Sequence, residues 1–228
     1  IPGTKLVADI NPGAGWASPT GLTIFDGRIY FSATNAPTGT ELWSTDGTGA
    51  GTLQVGDLRP GSSSSSPQNL TVAAGKLFFS ATNGLTNGRE LWTSDGTPAG
   101  TQLAVDIFPG LVGSNPDELT PVGTGVYFEA NGPNGAELHF SDGTPAGTSE
   151  VCDIATGSGW SFPTDLAVCG GSLFFQADHP DLGKELFQFA NPGAYSNDLG
   201  ISGSGASLAA GFPILGSTLE VTVTGSPA

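Results

Sequence analysis

The sequence predicts an all-β protein of the β-propeller class, with four blades of four antiparallel strands each. Three observations lead to this prediction. A twelve-residue block begins at Glu41, Glu90 and Glu137 and recurs in a shortened form at Glu185, so the starts are 49, 47 and 48 residues apart. Each repeat holds four short segments rich in β-branched and aromatic residues, bounded by turn residues. With 36 Gly, 17 Pro and only 12% charged residues, the composition is also typical of a turn-rich β protein.

The four predicted strands are clearest in the second repeat, where they read NLTVAAG, KLFFSATN, RELWTSDG and GTQLAVDI in chain order. A tight hairpin is expected before the second strand, because pairs such as Ala74-Gly75 and Asp26-Gly27 can supply the positive φ of a two-residue turn. The recurring SDGT turn joins the third strand to the fourth. The repeated block is therefore a strand, a turn and the beginning of the next strand.

The second strand of each repeat predicts how the sheets pack. Its copies RIYFSA, KLFFSA, GVYFEA and SLFFQA place large apolar residues side by side, as at Phe78 and Phe79. Adjacent residues of a strand point to opposite faces, so both faces of the sheet are expected to be buried. A blade that lies between two neighbouring blades meets this condition, whereas a two-sheet sandwich would show one polar face.

The strand count predicts how the ring closes. The chain begins with IPGTKLVADI, which aligns with the fourth strand of a repeat, while the fourth repeat ends at ELFQFA without one. We therefore expect Lys5–Ile10 to complete the last blade and so remove the exposed strand edges of an open array. A β-solenoid or an open piece of a longer array is the alternative. The predicted propeller spans residues 1–194, in repeats of 4–52, 53–101, 102–148 and 149–194, and residues 195–228 form a Gly/Ser-rich linker and a last strand.

The blocks ELWSTDGT, ELWTSDGT and ELHFSDGT resemble the ELWxxDGT repeat of a family of bacterial secreted and surface-associated proteins. The resemblance covers Thr4 to about Ala190 and includes eight recurring positions. It implies an extracellular propeller-like module and no agreed biochemical activity. The fourth copy departs from the pattern, with Phe187 in place of Trp and no Asp-Gly-Thr.

The charge balance argues against two classes of partner. Six Lys and Arg residues stand against 21 Asp and Glu residues, which leaves a net charge of −15. So acidic a chain repels phosphate backbones and anionic lipids, and we expect no nucleic-acid partner. No apolar run approaches the roughly 18 residues of a membrane span, so we expect no membrane insertion.

The sequence is poor in the parts of a catalytic site. The two histidines are His139 and His179, and His139 occupies the position of Trp43 and Trp92 in other repeats, which favours a packing role. No nucleophile elbow or zinc-site spacing is present. Because a repeat places its carboxylates in similar environments, whereas acid–base catalysis needs different ones, we expect no enzymatic activity and no cofactor. Hydrogen bonds to turn amides explain the repeated carboxylates best, with calcium binding as the alternative. They are Glu41, Glu90, Glu137 and Glu185, and Asp9, Asp57, Asp106 and Asp153.

The linkers between blades carry candidate interaction residues. Trp16 and Trp160 stand at equivalent places in the first and fourth linkers, whose blades would be neighbours in a closed ring. A Trp on a Gly-rich loop can stack on a sugar or anchor a protein contact, or it can fold back as a lid over its blade. Asn69-Leu70-Thr71 is an N-glycosylation sequon. A serine run suited to flexibility or O-glycosylation comprises Ser62, Ser63, Ser64, Ser65 and Ser66.

Two cysteines, Cys152 and Cys169, stand 17 residues apart. In an oxidising compartment a disulfide between them would close a loop worth roughly 3 kcal/mol. The alternative is a pair of buried thiols that pack as small apolar groups. This alternative suits Cys152, since Ala8, Gly56 and Val105 occupy its position in the other repeats.

The end of the sequence has the pattern of a further strand. Leu219, Val221 and Val223 alternate with Thr and Glu residues, which creates one apolar face. A single strand needs a partner, so we expect residues Leu215–Gly225 to pair across the body, with a further domain or with a second copy. Repeated head to tail, the last arrangement would build a fibre.

These features together predict a non-catalytic structural or interaction module of the cell exterior or surface. Its expected partners are other copies of itself, in a surface fibre, and glycans. The alternative function is a carbohydrate-binding propeller or a module of a secreted polysaccharide-acting enzyme, for which the linker tryptophans would provide the stacking surface.

Overall fold

The protein, as a computed structural model, is described for residues 3–13, 15–84 and 86–190. Within these residues fifteen strands form four antiparallel sheets, and in each sheet every strand pairs with the next one along the chain. The all-β prediction is therefore confirmed. The predicted C-terminal strand, with Leu219, Val221 and Val223, lies outside the described residues. No helix in the described part of the chain has the length and apolar composition needed to cross a membrane.

The strands follow the repeat. Sheet 1 consists of β1 (Thr20–Phe25), β2 (Arg28–Asn35), β3 (Gly39–Thr45) and β4 (Leu53–Gly56). Sheet 2 consists of β5 (Gln68–Ala73), β6 (Lys76–Thr82), β7 (Arg89–Ser94) and β8 (Gln102–Val105). Sheet 3 consists of β9 (Asp117–Val122), β10 (Gly125–Gly132), β11 (Gly135–Ser141) and β12 (Thr148–Cys152). Sheet 4 has three strands, β13 (Thr164–Cys169), β14 (Ser172–His179) and β15 (Gly183–Ala190).

The tight turns form where the sequence predicts them. Between β1 and β2, Asp26 and Gly27 have φ angles of 46° and 72°, which suit a two-residue hairpin turn. Between β7 and β8, the Asp95 carboxylate accepts hydrogen bonds from the hydroxyl and the backbone N–H of Thr97, at 2.7 and 2.8 Å. These bonds lower the pKa of Asp95. A Cβ on Gly100 would lie 2.1 Å from the same carboxylate, so the turn geometry itself requires this glycine.

Consecutive sheets pack face to face through three apolar clusters, which we call the 1–2, 2–3 and 3–4 junctions. In sheet 2, Phe78 packs in the 2–3 junction and its neighbour Phe79 packs in the 1–2 junction, and both are fully buried. The expected burial of both faces is confirmed for this sheet. The 2–3 junction also contains Leu91 and Phe128, the 1–2 junction Tyr30, Leu42 and Trp92, and the 3–4 junction Tyr127, Leu138, Phe175 and Phe187.

The first strands of successive sheets lie side by side, β1 beside β5, β5 beside β9 and β9 beside β13. Between them, the hydroxyl of Thr23 donates to the carbonyl of Leu70, and that of Thr71 to the carbonyl of Leu119, each at 3.2 Å. No comparably close approach joins β13 to β1 among the described strands. The described sheets therefore form an open series.

The predicted closure by the N-terminal segment is not found in the described residues. Lys5–Ile10 contains no strand, sheet 4 has three strands, and the side chain of Leu6 is 79% exposed. Ile10 instead packs against Phe31 and Trp43 of sheet 1. The sequence aligns this segment with the fourth strand of a repeat, but that alignment does not fix its conformation. Whether that segment reaches sheet 4, however, depends on the angles that the three close-packed junctions set between the sheets.

Candidate functional site

Buried glutamates hold the junctions together. Glu41, in the repeated block, is fully buried, like Glu90 and Glu137. Its carboxylate accepts hydrogen bonds from the backbone N–H groups of Leu58 and Ser65, at 3.0 and 2.9 Å, and from the Ser65 hydroxyl at 2.6 Å. A buried carboxylate needs several donors, because removing an unpaired charge from water is costly. We call this arrangement the glutamate clamp.

The clamp recurs at the other two junctions. Glu90 accepts hydrogen bonds from the N–H groups of Ile107 and Ser114, at 3.1 and 2.8 Å, and from the Ser114 hydroxyl. Glu137 accepts a hydrogen bond from the Ser161 hydroxyl at 2.6 Å and one from a linker N–H at 3.0 Å. Burial raises the pKa of both carboxyls, that of Glu137 to about 7, because desolvation outweighs these bonds. The expected bonding of these repeated glutamates to backbone amides is therefore confirmed at three repeats.

The clamp serines are the residues that sequence reasoning missed. A signal was present, because each stands two residues before a proline in its linker, at Ser65, Ser114 and Ser161. The first linker has Ala17 at the same place. Pairing each serine with a glutamate 24 residues earlier requires knowing how the linker crosses the sheet.

Each linker also bridges two sheets with its backbone. The Ser66 N–H donates to the carbonyl of Thr40 in β3 at 3.0 Å, and the Ser65 carbonyl accepts from the N–H of Thr82 in β6 at 3.0 Å. The third and fourth linkers make the same two kinds of contact. One side of a linker thus holds the third strand of the preceding sheet, and its other side holds the second strand of the following sheet.

The residue before the proline has a left-handed backbone in all four linkers. These residues are Ser18, Ser66, Asn115 and Phe162, with φ angles of 43°, 49°, 51° and 44°. Such angles are uncommon for residues other than glycine and carry a conformational cost. The first linker adopts this backbone although no described sheet lies on its preceding side. The first linker therefore has the same local backbone conformation as the three linkers that lie at junctions.

The first linker makes its following contact. The Ala17 carbonyl accepts a hydrogen bond from the N–H of Thr34 in sheet 1 at 2.8 Å, as Ser65 does with Thr82. Within the described residues, no hydrogen bond joins Ala17 or Ser18 to a preceding sheet. Among the described residues, the backbone of the first linker therefore bonds to the following sheet alone.

Sheet 4 presents the complementary situation. β15 carries Glu185 and Leu186 at the positions of the clamp glutamates and their neighbouring leucines, yet Glu185 is exposed and Leu186 is 64% exposed. Cys169 is exposed and Phe174 is half-buried. Leu186, Phe174 and Cys169 lie on one side of the sheet, and we call these three residues the open face of sheet 4. Glu185 lies on the other side, at the strand position of the clamp glutamates. The corresponding leucines of the other sheets, Leu42, Leu91 and Leu138, are fully buried.

The other end of the series also exposes apolar side chains. Leu22, Ile24 and Ile29 of sheet 1 are exposed, and we call them the open face of sheet 1. At the equivalent positions of sheet 2, Leu70, Val72 and Leu77 pack into the 1–2 junction. The two ends of the series are thus the two halves of a junction that the described residues do not bring together.

The two linker tryptophans differ in their surroundings. Trp16 is 85% exposed, before sheet 1, while Trp160 is 55% exposed, between sheets 3 and 4. Trp160 makes an edge contact with Phe162, with ring centroids 5.2 Å apart, and lies over Gly135, where a Cβ would be 2.6 Å from the indole. Trp160 therefore acts as a lid on sheet 3. The open series does not bring the two tryptophans together, since their expected proximity depended on ring closure.

The predicted glycosylation residues lie in different settings. Ser65 is buried in its clamp and is not available for modification, whereas Ser62 and Ser63 are exposed. The side-chain amide of Asn69 donates to the carboxylate of Asp117 at 2.9 Å, across the gap between β5 and β9. A glycan on that nitrogen would take the place of this contact.

The cysteines form no disulfide, and both are free. Cys152 packs against the 3–4 junction, and burial raises the pKa of its thiol to about 12. Cys169 ends β13 on the open face of sheet 4. The packing interpretation therefore holds for Cys152, and the predicted bridge fails because the two side chains occupy different environments.

The packing role expected for His139 is confirmed. Its ring stacks on Phe128 with centroids 5.7 Å apart, its Nδ1 lies 3.0 Å from the Glu137 carbonyl, and burial lowers its pKa to about 4. The part of the chain that the structure describes contains no group of three or more His, Cys, Asp or Glu side chains placed to hold a metal.

One carboxyl with a raised pKa was not predicted. Glu129 of β10 stands where Ser32 and Ser80 stand in sheets 1 and 2, and burial, reinforced by nearby carboxylates, raises its pKa to about 7. A hollow of about 260 Å³ is lined by Asp106, His139 and other residues, and Glu129 is not among them. The titratable carboxyl and the hollow therefore do not form one site.

Comparison with known proteins assigns a fold and no family. No protein-family model matches the chain, and no curated protein is similar to it. A mutant of puromycin hydrolase complexed with PGG superposes with a TM-score of 0.53 and 18% identity, over 77% of this chain and 27% of the hydrolase. Puromycin hydrolase itself gives a TM-score of 0.53 and 16% identity, over 76% and 27%. An α-L-arabinofuranosidase from Clostridium thermocellum gives a TM-score of 0.32 and 16% identity, over 75% and 68%.

This similarity concerns the fold, because the identities are too low to indicate a shared activity. The chain spans about a quarter of the length of puromycin hydrolase. The described sheets are thus propeller-like and all-β.

Proposed function

We propose that this chain is a non-catalytic structural or interaction module of the cell exterior, built from propeller blades and working through the two ends of its blade series. The observation that carries the proposal is the contrast between filled junctions and open ends. Leu42, Leu91 and Leu138 are buried at the three junctions, whereas their equivalent Leu186 is exposed on sheet 4, and Leu22 and Ile29 are exposed at the other end, on sheet 1. Exposed apolar patches of this kind mark sites of protein association.

The architecture in this proposal is one blade per sheet. Sheets 1 to 3 are complete blades of four strands, and sheet 4 takes its fourth strand from outside the described series. Closure of the ring removes the unpaired strand edge of β15, which would otherwise invite unspecific pairing.

The engagement of the repeated carboxylates supports a module without catalysis. The carboxylate oxygens of the three clamp glutamates accept hydrogen bonds from linker residues, so they do not face a space where a substrate could bind. These glutamates are Glu41, Glu90 and Glu137. The hydrolase activity of the structural neighbours belongs to those proteins, since the likeness to this chain is one of fold.

The extracellular setting in this proposal rests on the resemblance to the ELWxxDGT repeat and on the acidic composition. The exposed serines Ser62 and Ser63 are suited to carry glycans there. Assembly into a fibre through residues Leu215–Gly225 remains a prediction from the sequence.

A carbohydrate-binding module is the second candidate function, and the exposure of Trp16 favours it. An indole on a Gly-rich linker can stack on the face of a sugar ring. Trp160 is less suited to this role, because one edge of it is occupied by Phe162.

Two measurements on the full chain test the proposal. Incubation with a panel of polysaccharides, peptides and esters should give no turnover, and hydrolysis that disappears in Glu129→Gln or Glu137→Gln would refute the non-catalytic assignment. On a glycan array, the proposal predicts no binding that depends on Trp16. Binding that is lost in Trp16→Ala and kept in Leu111→Ala, which alters an exposed linker residue elsewhere, would establish the carbohydrate-binding alternative.

A further inference from the structure

We propose that sheet 4 takes its fourth strand from the Lys5–Ile10 segment of a second copy of this chain, and that two copies exchange these segments to close one ring of eight blades. This inference rests on the proposed function and names its partner. It follows from three features of the described residues: strand register, the glutamate clamp and the two open faces.

The first feature is strand register. In sheet 1 the third and fourth strands pair with Trp43 opposite Gln54 and Ser44 opposite Leu53, and sheets 2 and 3 keep the same register. Aligned on the repeat, Lys5–Ile10 occupies the positions of β4 and β15 those of β3. The transferred register therefore places Leu6 opposite Phe187 and Lys5 opposite Gln188. Val7 then takes the position of three residues that are buried in the other sheets, Val55, Ala104 and Val151.

The second feature is the clamp. By equivalence with the other linkers, the N–H groups of Ile10 and Ala17 would donate to the Glu185 carboxylate, and the N–H of Ser18 to the carbonyl of Lys184. The donors and acceptors belong to opposite ends of the series, where Ile10 and Ala17 are half-buried and Ser18, Lys184 and Glu185 are exposed. The left-handed backbone of Ser18 shows that the first linker already holds the required shape. The first linker would then lose little conformational entropy on association.

The third feature is the pair of open faces. Leu186 and Phe174 of sheet 4 correspond to residues in the preceding half of each internal junction. Leu22 and Ile29 of sheet 1 correspond to residues in the following half of each junction. Bringing the two faces together thus repeats an interface that the chain makes three times. No new kind of contact is needed.

A second copy fits better than the same chain. The Lys5–Ile10 segment and β15 of one chain are both described, and they do not pair. Three close-packed junctions hold the sheets at set angles, and contracting the series to four blades in a ring would strain those packed interiors. In a pair of copies, sheet 4 of each copy packs on sheet 1 of the other, which gives two identical head-to-tail contacts. The resulting eight blades lie within the usual range for propellers, about four to eight.

The mass in solution is the first test. Sedimentation of the full chain, at physiological salt to screen the repulsion expected from a net charge of −15, should show a dimer that dissociates on dilution. Leu186→Asp and Leu22→Asp, which alter exposed residues of the two open faces, should each give monomers that melt like the parent monomer. Leu111→Asp, at an exposed linker position on neither open face, should remain dimeric.

Cross-linking tests the register and distinguishes the occupants. In a Cys169→Ser background, Lys5→Cys and Gln188→Cys are made in separate chains and mixed under oxidising conditions. Directly opposed residues of paired strands have the Cα separation that a disulfide needs. The expected product is a covalent dimer containing one chain of each kind, and Lys5→Cys mixed with Leu111→Cys should give none.

A gain in affinity is the most specific expectation. Ala17→Ser adds the hydroxyl that the other clamps use, so it should strengthen each of the two contacts by about tenfold and the dimer by about a hundredfold, since hydrogen bonds to charged groups reach this size. Glu185→Ala should weaken the dimer by at least as much. In the combined variant, Ala17→Ser should bring no gain, because its acceptor is absent.

Each other outcome overturns the inference. A cross-link within one chain of the double variant, with a monomeric mass, would establish closure of a four-bladed ring. A dimer without the Lys5–Gln188 cross-link that is lost on removing residues 195–228 would assign the site to the C-terminal segment. A strictly monomeric chain, or a mass that grows without limit, would exclude the two-copy ring. A monomer without turnover would leave the proposed function standing, whereas turnover would defeat it whatever the mass.

Discussion

Strand β7 in sheet 2 and strand β15 in sheet 4 carry the same two residues in the same strand position. Glu90 and Leu91 are fully buried, whereas Glu185 is exposed and Leu186 is 64% exposed. The residues themselves are identical, so the difference lies in whether a following linker and sheet cover them. The comparison indicates that the stability of this protein resides in the contacts between neighbouring repeats, as in other repeat proteins.

The largest effect should come from the leucines of this comparison. Leu91→Ala removes a fully buried side chain and leaves a cavity, so it should lower the free energy of unfolding by about 2–5 kcal/mol. Leu186→Ala, measured on dilute monomeric protein, should change it by less than about 0.5 kcal/mol. Urea unfolding of both variants provides the measurement. Equal losses would mean that the face of sheet 4 is covered within one chain, and the comparison would fail.

A smaller effect is expected from the clamp serines. Ser114→Ala removes a hydroxyl that donates to the buried Glu90 carboxylate, so the loss of unfolding free energy should be about 1–3 kcal/mol. The matched control is Ser62→Ala, an exposed serine that should cost less than about 0.5 kcal/mol. If the two substitutions cost the same in urea unfolding, the clamp contributes nothing beyond the packing of its junction.

The smallest expected effect on stability concerns sheets 2 and 3, in which Ser80 and Glu129 occupy equivalent positions. Burial and neighbouring carboxylates raise the pKa of Glu129 from 4.5 to about 7. The folded state therefore binds this proton more tightly than the unfolded state. The stability that the proton supplies is fully present below about pH 4.5 and is lost as the pH rises through about 7.

Glu129→Gln is neutral at every pH, so it should be more stable than the parent at about pH 8 and similar to it at about pH 4. The full pKa shift would correspond to about 3 kcal/mol, and the partial exposure of Glu129 reduces the expected gain to roughly 1–2 kcal/mol. Thermal unfolding across this pH range measures it. A parent and variant of equal stability at high pH would show that solvent already screens this carboxyl.

Much of the fold could be predicted from the sequence because its determinants are local and repeated. The hairpin at Asp26-Gly27 follows from φ preferences, and the strand order follows from short connections. The two-sided burial of Phe78 and Phe79 follows from strand geometry together with the repeat. Of the candidate site, the role of the glutamates in binding amides was predictable for the same reason.

The remaining features could not be predicted, because they depend on contacts between residues far apart in the chain. The partner of Glu41 is Ser65, which in the sequence belongs to a serine run with the appearance of a flexible linker. The raised pKa of Glu129 depends first on burial of its carboxyl and then on carboxylates from neighbouring strands. Cys152 and Cys169 are near in sequence, yet they face different surroundings.

The sequence by itself determined the strands, their turns, the repeat length and the identity of the residues that face a neighbouring blade. These properties are encoded within one repeat, where alternation and turn chemistry act over a few residues. Only the tertiary structure decided which of those residues are covered. Leu91 and Leu186 both follow a glutamate at the same strand position. Their burial depends on whether another sheet packs on them, and the angles between the packed sheets leave the two ends of the series apart.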